Sequence, residues 1–175
     1  MDTQQILVGN LQEALRQLQK YLATGLATAL SLLLLTWGQS SSSTQGAVTI
    51  PGLPVAVAAS LLEILLIAVF MATGWLCYSS SLDARKIAAR ISNVEVRSAA
   101  LSFPTVISSQ DHGMRKVAAL LPAIIYTVYL VSDVYRSTAP AFNKYWLLFL
   151  FGVMPFVGVM IATRSPLDKA DAKGE

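Results

Sequence analysis

Charge is what this chain most conspicuously lacks. Lys20 is followed by no charged residue before Glu63, and residues 64–82, 117–132 and 145–163 carry none. Charged residues make up 13% of the sequence and hydrophobic ones 54%, against roughly a quarter charged in an ordinary soluble domain. A surface so poor in charge excludes a chain that folds alone in water. Cysteine is nearly absent too. Cys77 stands alone, so it forms no disulfide within the chain, and thiolate metal sites normally take several. His112 is the only histidine. That count excludes a bis-histidine haem within one chain, and no companion makes His112 a metal ligand or a catalytic base. It reads as an exposed residue beside Asp111, in a turn over residues 108–113. A phosphate-binding glycine loop, a metal-ligand cluster and a serine in a nucleophile-elbow setting are missing as well. The expectation is a protein that is not an enzyme and takes no cofactor or metal.

What the chain has instead is length without charge. About 18 apolar residues at ~1.5 Å each cross the ~30 Å hydrocarbon core of a bilayer. Four segments qualify: 21–37, 55–77, 117–135 and 145–163. The predicted fold class is all-α, a polytopic membrane protein built as a four-helix transmembrane bundle, with residues 1–175 as a single membrane domain. Trp37, Trp75, Tyr78, Tyr135, Tyr145 and Trp146 fall near span ends, where amphipathic rings settle at headgroup level. Cys77 reads as a small apolar side chain at the inner boundary, with palmitoylation as the alternative.

The net charge of +3 and a pI near 9.1 would suit nucleic acid in a soluble protein. Here the basic residues flank apolar spans and no recognition motif accompanies them, so no nucleic-acid partner is expected. Of the 13 Lys and Arg residues only Arg136 and Lys144 fall on one side of the spans; all the others fall on the opposite side. The positive-inside rule then puts both termini and the loop 78–116 in the cytoplasm of a cell or inner membrane. Residues 38–54 and 136–144 become outer loops and 164–175 a cytoplasmic tail. A cleaved secretory signal is the competing reading of the first span. The 20 residues before it and the run's length argue for a retained helix.

Outside the spans, Leu7, Leu11, Leu15, Leu18 and Leu22 make the stripe of an amphipathic helix over 3–20, with no breaker before the first span. Such a helix lies on inner headgroups, pairs with a copy, or covers the end of its own bundle. In the loop 38–54 four serines precede Val48, Thr49 and Ile50. Pro51 and Pro54 deny these a continuous ladder, so a short extended segment or turn is expected. Within 78–116 a second amphipathic helix is predicted at about 82–101, ended by Phe103-Pro104. Ile87, Ile91, Val94 and Leu101 share one face, and Arg85, Lys86, Arg90 and Arg97 lie largely elsewhere. That pattern suits a helix on an anionic leaflet or one that docks a soluble partner.

Glu63 is the residue most out of place. Counted from Pro54 it lies ~14 Å into the second helix, where an acid costs ~2.5–3.5 kcal/mol on insertion scales. Tyr126 and Tyr129 on the third span, and Thr28 on the first, reach a similar depth. Pro155 frees a carbonyl near that level on the fourth. Glu63 is therefore expected to face inward as a neutral acid and donate a hydrogen bond within this polar layer. A structural tie between helices, a proton or cation pathway and a contact between subunits are the three roles open to it. Thr24, Thr28 and Ser31 form a hydroxyl stripe, and Gly25 with Ala29, and Ala119 with Ala123, are small pairs that let helices approach. Pro122 and Pro155 are expected to kink their helices, and Asp133 to form a boundary ion pair with Arg136. The leading functional reading is a non-catalytic integral membrane subunit or scaffold that anchors or positions a partner. The alternative is a small oligomeric channel, transporter or membrane-permeabilising effector with Glu63 in or near the pathway. The expected partners are the lipid bilayer and a protein partner or second copies of the chain.

Overall fold

The computed structural model describes residues 3–39, 47–49, 56–93, 96–97, 112–136 and 142–164. Helices α1 (Thr3–Gln39), α2 (Ala59–Arg90), α3 (His112–Arg136) and α4 (Phe142–Arg164) make up nearly all of these. Each contains a segment long and apolar enough to cross a membrane. A short antiparallel ladder, β1 (Ala47–Thr49) on β2 (Ala56–Ala58), precedes α2, with Val48 opposite Val57. Pro51 and Pro54 lie between the two strands, outside the described residues, so they interrupt neither one. The ladder delays α2: Ala58 keeps extended backbone, φ −57° and ψ 130°, and the helix starts at Ala59 rather than at 55.

The first two helices are longer than their spans require. α1 joins residues 3–20 and 21–37 into one rod of 37 residues, ~55 Å at the standard rise. α2 runs for 32 residues and passes straight through the boundary expected after Cys77. Serines occupy positions 79–81, just past that boundary. Ser79 and Ser81 donate to the carbonyls of Leu76 and Tyr78, at 3.0 and 2.7 Å, so they stay in the helix by bonding its own backbone. Residues 82–90 of the helix predicted at about 82–101 are thus the last turns of α2, which stop at Arg90 where Ile91 turns extended, and residues 96–97 are helical again. Val94 and Leu101 through Asp111 lie outside the described residues. α3 begins at His112 rather than 117, so that histidine opens a helix.

α1 and α4 each pack beside α2 and α3, which leaves α2 diagonal to α3 and α1 diagonal to α4. Gln4 donates to Ser92 at 2.9 Å, joining the start of α1 to the residues just past α2. At the other end Tyr145, early in α4, donates to Asp133, late in α3, at 2.8 Å. Sequence neighbours therefore run antiparallel. Two apolar clusters follow from the unequal lengths. In the four-helix part, Leu18, Leu22 and Leu32 of α1 meet Phe70, Tyr126 and Phe156 from the other helices. Beyond it, Leu11 and Leu15 of α1 meet Ala84, Ala88 and Ile91 at the end of α2. The leucine stripe is consumed along its length by its own chain. Ile87 and Ile91 likewise pack toward α1. We call this two-helix extension the stalk.

Candidate functional site

The middle of the bundle is a column of rings. Phe70 of α2 stacks on Tyr126 of α3 with centroids 4.2 Å apart, and on Phe156 of α4 at 5.2 Å. Tyr129 stands 5.6 Å from Tyr126, because residues three apart share a helix face. Glycines make room for the column. Phe156 lies between Gly25 and Gly74, where an added Cβ would fall 3.2 and 3.0 Å from its ring. Tyr126 covers Gly152, where an added Cβ would fall inside van der Waals contact of the ring. α3 and α4 continue as helices through Pro122 and Pro155, and Pro155 supplies no N–H to the Phe151 carbonyl four residues earlier.

Glu63 joins this column at its end. The Tyr129 hydroxyl donates to Oε1 of Glu63 at 2.5 Å, across the diagonal between α2 and α3. Two details differ from expectation. The carboxyl accepts this bond rather than donating it. And because residues 56–58 form a strand, Glu63 lies only ~6 Å into α2, nearer the end of the helix than a count from Pro54 gives. Glu63 is half-buried, while Ile64 and Leu65 beside it face outward. Tyr126 is fully buried and its hydroxyl has no hydrogen-bond partner among the described residues. A buried hydroxyl without a partner stabilises nothing. Tyr126→Phe is therefore expected to leave thermal stability in detergent unchanged or slightly raised, and a clear loss would mean that an unseen partner holds it.

Thr28 does not enter the polar layer. Its hydroxyl donates to the Thr24 carbonyl at 2.8 Å, and Thr24 and Ser31 do the same to Lys20 and Ala27. Each hydroxyl of the stripe is satisfied within α1. The layer predicted from four residues thus contracts to the Glu63–Tyr129 pair with Tyr126 beneath it. The boundary ion pair between Asp133 and Arg136 is replaced by two other contacts. Asp133 accepts from Tyr145, and the Arg136 guanidinium donates to the Thr36 carbonyl near the end of α1. A cation on the last free carbonyls of a helix both fills a hydrogen-bond vacancy and opposes the helix dipole.

The basic set divides. Arg85, Lys86 and Arg90 are exposed along the α2 side of the stalk, whereas Arg97 lies past the helix and is half-buried. Lys86 pairs with Asp83 at 3.5 Å and Arg16 with Glu13 at 3.8 Å, both exposed and of small energetic weight. Among the described residues no three His, Cys, Asp or Glu side chains gather in a way that could hold a metal ion. Comparison with protein families, with curated proteins and with solved structures finds no match for this chain.

Proposed function

We propose that the protein is a non-catalytic integral membrane subunit whose bundle anchors the stalk, and that the stalk positions a soluble partner. The bundle is turned inside out for water: Leu34, Ile64, Val117, Ile124 and Ile161 are all more than half exposed. Lipid is the medium that such a surface fits. Trp75 and Tyr78, edge to face at 6.1 Å on α2, mark the headgroup level, and Tyr21 with Lys20 does so on α1. From Tyr78 the helix rises ~10 Å to Arg85 and ~18 Å to Arg90. The Debye length at physiological ionic strength is about 8 Å, so the outermost charges stand beyond the reach of a headgroup field.

The observation that carries this reading is the burial of Leu11 and Leu15 against Ala84, Ala88 and Ile91. With both apolar faces spent on each other, the stalk has a polar, basic exterior to offer an acidic protein in water. The variant Arg85→Glu/Lys86→Glu/Arg90→Glu is expected to purify as a monodisperse membrane protein and to lose the partner that co-purifies in mild detergent. Retention of that partner would remove the stalk from its recognition. The basic bias puts both termini and the stalk in the cytoplasm. A reporter active only outside the cytoplasm should therefore work at Ser42 and fail at Ser92, and the reverse would invert the assignment.

A second reading draws on the Glu63–Tyr129 pair: a small oligomeric channel, transporter or membrane-permeabilising effector. Stacked rings fill the centre of one bundle, so a pathway of this kind runs between copies. A homo-oligomer whose ion flux disappears in Glu63→Gln supports it, and stable association with a different protein supports the first.

A further inference from the structure

We propose that the groove between α3 and α4, at the end carrying Asp133 and Tyr145, binds one anionic phospholipid, with an acyl tail in the groove and the headgroup at Lys144. The proposal rests on the helices spanning a bilayer, and adds a specific site to that reading. The groove encloses about 510 Å³ between Leu130, Val131 and Val134 on α3 and Tyr145, Trp146 and Phe149 on α4. Its walls explain its shape. Trp146 and Phe149 stack at 6.0 Å with their planes 17° apart, making one flat aromatic wall. The two short valines keep the facing wall low. Thr127 lines the deep end, and its hydroxyl already donates to the Ala123 carbonyl at 2.8 Å, so nothing polar in the groove asks for a polar guest.

The dimensions fit a tail. Thr127 to Val134 spans ~10 Å of helix, most of the ~15 Å that a tail occupies in one leaflet of a ~30 Å core. The groove opens sideways, with Trp146 65% and Val131 49% exposed. The charge at its mouth selects the headgroup. The exposed Lys144 holds its ammonium 5.7 Å from the centre of the Tyr145 ring that forms the rim. Arg136 is exposed at the same end of the bundle, and the two acids described there are already engaged, Asp133 accepting the Tyr145 hydroxyl and Glu63 the Tyr129 hydroxyl. A phosphate drawn to Lys144 thus leaves its tail at the opening.

Single-tryptophan proteins test this. Trp37→Phe/Trp75→Phe keeps Trp146, and Trp37→Phe/Trp146→Phe keeps Trp75 as the control on a different lipid-facing surface. Each is reconstituted in vesicles doped with phosphatidylglycerol or phosphatidylcholine carrying brominated tails, which quench tryptophan on contact. The expected result is a preference for the brominated phosphatidylglycerol at Trp146 of about fivefold, the factor one basic residue near a headgroup supplies, with none at Trp75. Lys144→Glu should abolish the preference and Lys144→Arg keep it, while Val131→Phe, which fills the groove without touching the core, should lower quenching by both lipids. Equal ratios at the two tryptophans, or a preference that survives Lys144→Glu, would overturn the site while leaving the membrane reading intact. Quenching of neither tryptophan would overturn both.

Discussion

Gly152→Ala is expected to destabilise the detergent-solubilised protein by about 1–3 kcal/mol, the usual range for overpacking a closed core. The new methyl group lands on the edge of the Tyr126 ring, so either that ring or α4 must move. The ring has nowhere to go. It is fully buried, Phe70 stacks on it at 4.2 Å, and Phe70 in turn leans on Phe156, which Gly25 and Gly74 hold between two helices. A shift in one ring is thus passed to three helices. Gly158→Ala should be milder, although its Cβ would fall 2.7 Å from the Tyr78 ring, because Tyr78 is only half-buried and its ring can swing outward. Gly9 is the opposing control. Nothing lies within 4 Å of a Cβ built there, on the stalk portion of α1. Gly9→Ala should therefore gain most of the ~1 kcal/mol by which alanine exceeds glycine in a helix interior. Thermal unfolding of the three variants side by side checks the series. A Gly152→Ala protein as stable as the parent would mean that the ring column is not packed as described.

The helices were legible in the sequence because lipid tolerates so few charges: the uncharged runs at 117–132 and 145–163 lie within α3 and α4. Their ends were less so. Ser79 to Ser81 look like a loop by composition, yet a serine inside a helix can bond the carbonyl three or four residues back, and here two of them do. Thr28 matched Glu63 only while depth was counted from Pro54; with α2 starting at Ala59 it lies deeper than Glu63, and its hydroxyl has an acceptor in its own helix. Depth pointed to Tyr129 as a partner for Glu63, but depth alone did not separate it from Tyr126. The ring column was missed. Its trace in the sequence is the glycines at 25, 74 and 152 on three different spans, but pairing them with Phe156 and Tyr126 requires knowing that α2 lies diagonal to α3. Hydropathy carries no information about that order.

Removing one partner of the Glu63–Tyr129 pair should cost far more than removing both. Tyr129→Phe leaves the half-buried carboxyl without the hydroxyl that donates to it, and Glu63→Leu leaves the Tyr129 hydroxyl, 1% exposed, without its acceptor. A buried polar group stripped of its partner costs about 1–3 kcal/mol. Glu63→Leu/Tyr129→Phe removes both polar groups and fills the same space with apolar atoms, so its stability should return close to that of the parent. The two single changes are therefore expected to be strongly non-additive, with a coupling of at least ~1 kcal/mol in a double-mutant cycle. Simple additivity would show that the two side chains do not meet in the folded protein. The double variant also separates the two functional readings, because it keeps the fold and deletes the acid. A scaffold made this way still co-purifies with its partner, whereas a pathway lined by Glu63 stops conducting.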